Sequence, residues 1–588
     1  MDEPTLVLTG PLPLAGGPSP GQLRALVAAD VLARRAGGTG AAVYRSTAIL
    51  PGGHSAQRAA EEDLAREGLD AGAVGAEAFA ARMGALAIED RCRIEGLVDG
   101  LGLALDIEAA VLAGDVAALA ARTAFVRLFD AGLVVEAERV VSTCPRCATS
   151  VAAADTAPAD LDGEILTLRL ALIGEPPGAR VLEVTCEAPE LLLGVVAVAV
   201  PEGWPFPGAS ALVPVADASV PVVVDAAFDR PTLLVPAHDP VALELCRRLG
   251  LAPVPVVDGA GTICAPGPLA GLGRYAARAA ARRLLEADGA LAGAAGHIER
   301  VGRCPACSTV LIPILGHHWF LAMADLVTAA GDAVRDGRPT VRPATAREVL
   351  LAAAPERGEW CLTQQVRGGV PVPVGRCLDC GQTDVSVHPA TSCGKCMGDL
   401  AMAGDVLDGR FVRSVWPLTA AGWPEGGPGP DEPPGATVLV VAAEDAADVL
   451  PMVALGLRLG GAVPFDDVAV VSADPAGEDP GGGAVVELAA GGDRSAARVA
   501  AIWGGLDAAT ARALAGRIED PPVVPSSACA TVVDAVGGVA ALAEALTKAC
   551  DAADLGSALR LLDSALSAGV PADDLARVRA LAGPFVGA

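Results

Sequence analysis

The sequence is poor in lysine, asparagine and aromatic residues. Only two of its 43 basic residues are lysines, Lys395 and Lys548, asparagine is missing, and aromatic residues make up 3% of the chain. No apolar run reaches the roughly 18 residues that a membrane-spanning helix needs. The start, Met1-Asp2-Glu3-Pro4, lacks a basic region followed by an apolar core, so we expect no secretory signal and a cytoplasmic protein.

Composition limits the size of the protein and the kind of partner it binds. The chain has 588 residues, of which 52% are apolar, and this allows three or four domains with large cores. The net charge of −28 argues against a broad nucleic-acid surface, which would need clustered lysine and arginine.

The cysteines form a pattern that is typical of metal binding. Of the fifteen cysteines, eight lie in C-x-x-C pairs, namely Cys144/Cys147, Cys304/Cys307, Cys377/Cys380 and Cys393/Cys396. Two such pairs supply four thiolates, which is the tetrahedral set that zinc prefers, and leave no position for a catalytic water. We therefore predict two structural Zn²⁺ sites. Reduced free thiols or a redox pair remain an alternative.

Two strand–helix units enclose a long middle segment. Residues 5–9 are predicted to form a strand, and a Pro/Gly-rich loop separates them from a helix over 22–36, an arrangement that offers free amides to a phosphate. Residues 436–442 and 468–472 have the pattern of buried parallel strands, whereas 164–300 contain short strand-like runs between turns. The pattern predicts a split parallel α/β domain with a strand-rich insertion.

Several local strings follow one another in a distinctive order, namely Thr123–Val134 with Cys144-Pro-Arg-Cys147, Pro236-Ala-His-Asp-Pro240, Trp360-Cys-Leu-Thr-Gln-Gln365, Asp405-Val-Leu-Asp408, Val415-Trp-Pro417, Gly422-Trp-Pro424 and Pro464-Phe-Asp-Asp-Val468. With these strings the chain resembles, from about residue 5 to 490, the valyl-tRNA synthetases, a family of class I aminoacyl-tRNA synthetases. The resemblance implies an α/β fold with a split Rossmann-type parallel catalytic domain, an inserted β-rich editing-like domain, zinc knuckles and a short C-terminal helical domain.

The same resemblance implies five segments along the chain. They are the first half of the Rossmann-like domain with the first zinc knuckle at 1–155, the editing-like domain at 156–300, a zinc-knuckle connective region at 301–400, the second half at 401–490 and a shortened helical remnant at 491–588. Because this last segment has few basic residues, we expect tRNA binding to be doubtful.

The two catalytic signatures of the family are altered. The His-x-Gly-His position holds Ser19-Pro20-Gly21-Gln22, which keeps the glycine but lacks the imidazoles that would stabilise charge on the ATP phosphates. The Lys-Met-Ser-Lys-Ser position holds the acidic segment Asp474–Gly483, and no lysine occurs between Lys395 and Lys548. The local charge there has the wrong sign for a triphosphate.

The implied ligand pockets also depart from the family. The amino-acid pocket string appears as Pro51–Ser55, which has His54 but no acidic residue, and Gln364 replaces the arginine of the Ser-Arg-Gln string. In the editing-like segment His238 and Asp239 are present, whereas a second expected aspartate is Ala242. His238 is either an editing-site residue or a packed core histidine.

The candidate site residues follow from these matches. Degenerate catalytic positions are Ser19, Gly21 and Gln22, the editing-like positions are His238 and Asp239, and candidate ligand-binding positions are Gly16, Gly21, Gln22 and His54. Whether ATP or an amino acid binds stays open. Arg410 and Arg413 form either a new anion site or a salt-bridged pair.

We expect a pseudo-enzyme without tRNA aminoacylation activity, kept as a zinc-stabilised binding or regulatory scaffold for an unknown small molecule or protein. One alternative is an enzyme that activates an amino acid for a non-tRNA acceptor, with His54, Gln22 and Asp239 as its polar groups. Others are a divergent valine–tRNA ligase with ATP binding and editing, and a hydrolase that uses the insertion. The sequence indicates no oligomeric state.

Overall fold

The structure is a computed structural model, and most of the chain up to residue 471 is described. The described residues are 5–13, 17–38, 43–47, 49–50, 53–104, 107–173, 180–205, 208–352, 358–388, 390–424, 437–471, 494–503, 511–512, 515 and 548.

The described helices are amphipathic or buried segments rich in alanine and leucine. They are α1 (Pro20–Gly38), α2 (His54–Arg66), α3 (Ala76–Gly100), α4 (Ile107–Asp130), α5 (Pro240–Arg248), α6 (Arg274–Ala287), α7 (Ala324–Arg335), α8 (Ala346–Ala352), α9 (Gly409–Ala420), α10 (Val449–Leu455) and α11 (Arg494–Trp503). None of the helices in this described part of the chain has the length and apolarity needed to cross a bilayer.

The described strands belong to six sheets. They are β1 (Thr5–Thr9), β2 (Leu12–Pro13), β3 (Val43–Ser46), β4 (Ile49–Leu50), β5 (Val134–Cys144), β6 (Thr149–Ser150), β7 (Ala157–Ile173), β8 (Arg180–Cys186), β9 (Ala197–Val200), β10 (Ser210–Val213), β11 (Ala218–Val224), β12 (Thr232–Leu234), β13 (Leu291–Arg303), β14 (Ile312–Ala322), β15 (Thr340–Arg342), β16 (Glu359–Cys361), β17 (Thr363–Gln364), β18 (Val374–Cys377), β19 (Thr383–Val385), β20 (Leu400–Met402), β21 (Val406–Leu407), β22 (Thr437–Ala442) and β23 (Asp467–Val471).

The chain forms two compact units, which we describe separately. The first comprises described residues within 1–133, 322–359 and 367–588, and the second those within 134–321 and 360–366.

A five-stranded parallel sheet, in the order β15-β23-β22-β1-β3, is the centre of the first unit. The middle strands are continuous apolar runs such as Thr437–Ala442, as expected for parallel strands that are covered on both faces. Strand β1 pairs with β22 in parallel, from Leu6 opposite Thr437 to Thr9 opposite Val440. Strands that lie far apart in the sequence, β1 and β22, thus belong to one sheet. The predicted split parallel α/β domain is confirmed.

Helix α1 packs on this sheet and carries a buried carboxylate. The side chain of Asp30 is fully buried and accepts hydrogen bonds from Arg498 Nη1 at 2.7 Å, Arg34 Nε at 2.8 Å and the Ala104 amide at 3.2 Å. Because Arg498 belongs to α11 and is itself fully buried, this ion pair attaches α11 to α1.

The second unit is dominated by antiparallel strands. A seven-stranded sheet runs β12-β9-β11-β10-β7-β13, with β8 also paired to β7. One face of β7 and β8 buries Leu166, Leu168 and Leu182 in a shared apolar core. A four-stranded sheet, β16-β14-β5-β6, holds the first two C-x-x-C pairs near its ends. The β-rich insertion expected from the sequence is therefore confirmed.

Several local expectations need adjustment. Part of the strand-like region 164–300 is not extended, because Pro189–Gly194 forms a 3-10 turn before β9. Strand β15, from within the segment expected to hold the zinc knuckles, is an edge strand of the parallel sheet. Most of the expected C-terminal helical remnant lies outside the described residues, although α11 is a helix.

Replacing Arg498 with methionine should strongly destabilise the first unit. The change leaves Asp30 buried with one charged partner fewer, and breaking a buried pair typically costs about 3–5 kcal/mol. The midpoint of thermal loss of helical circular dichroism measures the effect. The matched control is Arg34→Met, because the Arg34 side chain is 25% exposed and should cost only about 1 kcal/mol. Equal midpoints for the two variants would contradict the role assigned to α11.

Candidate functional site

Ser19 and Gln22, which the sequence analysis assigned to the first signature, lie at the start of α1. The Ser19 amide donates to Gln22 Oε1 at 3.0 Å, and the Gln22 amide donates to Ser19 Oγ at 3.1 Å. This reciprocal pair is a capping box, which satisfies amides that the first turn of a helix leaves free. The Ser-x-x-Gln spacing was a readable signal for it, and Ser19 and Gln22 have a structural role there.

Two acidic residues that the sequence analysis missed face this helix start. Gln22 Nε2 donates to the Asp445 carboxylate at 3.1 and 3.4 Å, and Ser19 Oγ donates to Glu444. A Cβ atom on Gly21 would lie 2.6 Å from a Glu444 oxygen, so the carboxylate occupies the space beside this glycine. The available signal was the position of the acidic pair, directly after the buried strand β22.

The local electrostatics at this site are unfavourable for an anion. Burial raises the pKa of Asp445 to about 6, the Gln22 hydrogen bond opposes this rise, and the nearby charges of Asp448 and Glu444 add to it. Near neutral pH the start of α1 therefore faces carboxylates.

The other candidate ligand residues lie on different elements. His54 is half-buried and begins α2, after Gly53, whose φ of 83° is a left-handed conformation that favours glycine. The Gly53 amide donates to the Gly368 carbonyl at 3.1 Å. Gly16 and the acidic segment Asp474–Gly483 lie outside the described residues.

His238 has both ring nitrogens engaged inside the second unit. Nδ1 lies 2.7 Å from the Pro313 carbonyl, and Nε2 accepts from the amides of Val256 at 3.1 Å and Val257 at 3.4 Å. These partners require a neutral ring with its proton on Nδ1. Burial lowers the pKa of His238, which favours the same neutral form. The geometry fits the packed-histidine interpretation.

Two acids of the editing-like segment, Asp239 and Glu190, have structural partners as well. Asp239 caps α5, because its carboxylate accepts from the Val241 amide at 2.8 Å. Glu190 is 1% exposed and forms a bidentate ion pair with Arg278 at 2.8 and 2.9 Å, with Arg274 at 3.4 Å. A carboxylate with such partners is held in place as part of the fold.

Strand pairing brings the first two C-x-x-C pairs together. Strands β5 and β14 are antiparallel, with Thr143 opposite Ile312, so the turns that follow Cys144 and precede β14 lie side by side. Cys307 Sγ is 3.5 Å from Cys144 Sγ and 3.6 Å from Cys147 Sγ. All four sulfurs of Cys144, Cys147, Cys304 and Cys307 lie within 4.8 Å of one another. The two pairs, which a long insertion separates in the sequence, thus form one cluster.

The second cluster lies in the first unit, beside the small sheet β19-β18-β20. Its sulfur pairs are Cys377–Cys396 at 3.4 Å, Cys380–Cys396 at 3.5 Å and Cys380–Cys393 at 3.7 Å. A hydrogen bond from the Cys380 amide lowers the pKa of Cys377 to about 7, which favours its thiolate form. Against the hydrogen bond from the Gly398 amide, the neighbouring sulfurs of Cys377 and Cys380 raise the pKa of Cys396 to about 12.

All four C-x-x-C turns share one backbone conformation. The residue after the second cysteine has a left-handed φ in each case, 52° at Ala148, 57° at Ser308, 70° at Gly381 and 62° at Met397. Only one of these four residues is glycine, although left-handed φ is unfavourable for the others. The turns therefore keep the left-handed φ even at Ala148, Ser308 and Met397, whose side chains disfavour it.

The sulfur geometry fits tetrahedral zinc. With Zn–S bonds of about 2.3 Å, the sulfurs of a tetrahedral site lie about 3.8 Å apart. The close sulfur pairs of both clusters, at 3.4–3.7 Å, are near that value. Four cysteines would complete the coordination of a metal ion, so these clusters suit structural sites.

Arg410 and Arg413 share one acidic partner. Arg410 is 2% exposed and its Nε lies 2.5 Å from Asp448, while Arg413 Nε lies 3.0 Å from the other oxygen of the same carboxylate. The two arginines lower the pKa of Asp448 against the effect of its burial. Of the two interpretations, the salt-bridged pair matches the geometry.

The split parallel sheet and the order of the matching strings have a counterpart among known proteins. A family model described as tRNA synthetases class I (I, L, M and V) matches residues 2–473. The chain therefore belongs to this class I tRNA synthetase family, and the resemblance inferred from the sequence is confirmed.

Within that family the chain is similar to valine–tRNA ligases. The enzyme of Geobacter sulfurreducens is 32% identical over 429 residues, which cover 71% of this chain and 48% of that protein. The enzyme of Streptomyces coelicolor is 32% identical over 407 residues, 67% of this chain and 46% of that protein. The chain thus spans about half the length of the valine–tRNA ligases it matches.

Two solved synthetase structures show a weak likeness that covers the whole chain. One is the LeuRS of Agrobacterium radiobacter K84 in a ternary complex with tRNA and LeuAMS, with a TM-score of 0.49 at 14% identity, covering 100% of this chain and 84% of that one. Another is Mycobacterium tuberculosis methionyl-tRNA synthetase with methionyl-adenylate, with a TM-score of 0.49 at 11% identity, covering 100% and 92%.

The variant Asp445→Asn should be more stable than the parent above pH 6 and no more stable near pH 4. The folded pKa of about 6 exceeds the ordinary 3.8, so the parent loses stability as pH rises through this interval, and the amide cannot. We expect a gain of about 2 kcal/mol at pH 7, measured by urea unfolding. Glu444→Gln, at an exposed position, should give a smaller gain. A pH-independent difference between Asp445→Asn and parent would contradict the assignment.

The variant Cys144→Ala should lower the zinc content of the purified chain from two ions to one. Cys144 is a fully buried member of the first cluster, and three thiolates bind zinc less tightly than four. Elemental analysis by mass spectrometry gives the zinc-to-protein ratio. Cys246→Ala removes an equally buried cysteine outside both clusters and should leave the ratio at two. An unchanged ratio in Cys144→Ala would rule out the first site.

Proposed function

We propose that this chain is a valyl-type class I synthetase scaffold that does not form an aminoacyl-adenylate and that functions by binding. The observation that carries the proposal is the start of α1, where the family places His-x-Gly-His. Here Ser19 and Gln22 cap the helix and donate to the carboxylates of Glu444 and Asp445.

Adenylate formation requires the opposite charge at this position. The triphosphate of ATP is strongly anionic. The transition state of adenylate formation is stabilised by hydrogen-bond donors and cations that face the developing negative charge. Two carboxylates beside the helix start repel such an anion, and the Gln22 amide already donates to Asp445. The absence of any lysine between Lys395 and Lys548 supports the same conclusion, because no realignment restores the second signature.

The retained polar residues support a scaffold as well. His238 and Asp239 match positions of the editing segment, and Glu190 lies within that segment, yet each is used by the fold through backbone amides, a helix cap or an arginine pair. Their presence is therefore accounted for without a hydrolytic reaction.

We infer that two zinc ions complete the scaffold. Cys144, Cys147, Cys304 and Cys307 would hold one ion, and Cys377, Cys380, Cys393 and Cys396 the other. Structural zinc contributes folding free energy directly, because a preformed four-thiolate site does not exist in the unfolded chain.

A second candidate function is valine–tRNA ligation, which the similarity to valine–tRNA ligases favours. In that case ATP, valine and tRNA would all bind. A third candidate, activation of an amino acid for another acceptor, would use His54, Gln22 and Asp239 as its polar groups, although Gln22 and Asp239 also have structural roles.

Amino-acid-dependent ATP–pyrophosphate exchange, scanned over the twenty amino acids, separates these functions. We expect no exchange by the zinc-loaded chain above a no-enzyme blank, whereas the Geobacter sulfurreducens valine–tRNA ligase provides the positive control. Exchange with valine would establish the second candidate and overturn the scaffold proposal, and exchange with a different amino acid would establish the third.

Two binding measurements complete the test. Calorimetric titration with ATP should give no heat for the parent, and an ATP affinity equal to that of the control ligase would refute the electrostatic explanation. Filter binding with bulk tRNA then decides whether the scaffold includes an RNA partner, as the names of its relatives suggest.

A further inference from the structure

The two cysteine clusters differ in how far solvent reaches their sulfurs. In the first cluster Cys144 is 0%, Cys304 1% and Cys147 5% exposed, and Cys307 is half-buried. In the second cluster Cys377 and Cys393 are buried, whereas Cys380 and Cys396 are exposed. An oxidant dissolved in water can therefore approach two ligands of the second cluster directly.

The two exposed sulfurs are neighbours that belong to different knuckles. Cys380 Sγ and Cys396 Sγ lie 3.5 Å apart, and a disulfide bond is about 2.05 Å long. Met397, which follows Cys396, is 76% exposed, and Leu378, two residues before Cys380, is 72% exposed, so bulky side chains do not bury this part of the cluster. A small movement of either sulfur would join the pair.

We propose that Cys380 and Cys396 form an oxidative modification site, at which a peroxide converts the two zinc-bound thiolates into a disulfide and releases the ion from the second cluster only. The inference rests on the zinc sites proposed above, but it is independent of whether the chain activates an amino acid.

The reaction balances with hydrogen peroxide as the oxidant. One thiolate attacks a peroxide oxygen, the O–O bond breaks, and a sulfenic acid and hydroxide form. The second thiolate attacks the sulfenic sulfur, an S–S bond forms, and a second hydroxide leaves. The two sulfurs lose two electrons to the peroxide, and two protons from solvent convert both hydroxides to water. Only Cys377 and Cys393 would then remain as thiolate ligands, which are too few to hold a zinc ion tightly.

The first cluster supplies an internal control in the same molecule. It has the same ligand set and the same left-handed residue after each pair, so ligand chemistry is matched and burial differs. A difference in oxidation rate between the clusters would therefore report on access to the sulfurs.

The test uses the full chain, loaded with zinc and counted for metal before oxidation. Under graded hydrogen peroxide, a chromophoric chelator should record release of one of the two ions at least about tenfold faster than the other. After alkylation and digestion, mass spectrometry should find a cross-link between Cys380 and Cys396, and dithiothreitol with added zinc should restore the ratio.

Two variants control for other oxidisable groups. Met397→Leu removes the exposed thioether next to Cys396, and Cys92→Ser with Cys264→Ser removes exposed cysteines outside both clusters. Both should release zinc as the parent does. Release of both ions together, release without the Cys380–Cys396 cross-link, or dependence on Met397 would overturn the proposal. A chain that carries no zinc before oxidation would overturn the metal sites and this inference together.

Discussion

The parallel pairing of β1 with β22 is the interaction on which the first unit depends. Four register pairs, from Leu6–Thr437 to Thr9–Val440, join segments that lie at opposite ends of the matched family region. In a parallel sheet the carboxyl ends of neighbouring strands meet at one edge, where ligands of such folds bind. The pairing therefore places the loop after β22, with Glu444 and Asp445, against the start of α1. The hydrogen bonds of Ser19 and Gln22 to these two carboxylates depend on this pairing.

Buried ion pairs reinforce the same framework. Asp30 receives Arg498 from α11, and Asp448 receives Arg410 and Arg413 from α9. An unpaired buried carboxylate would be costly, whereas the arginine partners supply charge and directed donors. Such pairs specify which helix packs where, because a displaced helix would leave a charge buried without its partner. A chain with so few lysines depends on arginine for this role, and arginine offers several donors in a fixed plane.

The local sequence pattern predicted individual strands and motifs better than it predicted which distant segments lie beside them. The strand over 5–9 and the cysteine pairs were readable, since apolar runs and C-x-x-C spacing are local signals. The position of Glu444 and Asp445 beside the start of α1 could not be predicted from the sequence. These residues are far from α1 along the chain, and only the pairing of β22 with β1 brings them close to it. The same reason explains β15, a three-residue strand whose membership of the parallel sheet depends on β23. The domain limits drawn from the resemblance stay predictions.

The retained family strings and the altered signatures have a common physical explanation. Residues such as His238, Asp239 and Glu190 satisfy backbone donors, a helix end and buried arginines, so replacing them would cost stability whether or not the protein reacts with anything. Phosphate-binding histidines and lysines have no such second role, since a cluster of cations around an unoccupied pocket contributes nothing to packing. At Ser19 and Gln22 the substituted side chains instead cap α1 and bond to carboxylates, which strengthens the helix start and opposes an anion. The same hydrogen bonds that stabilise the start of α1 therefore place negative charge beside it.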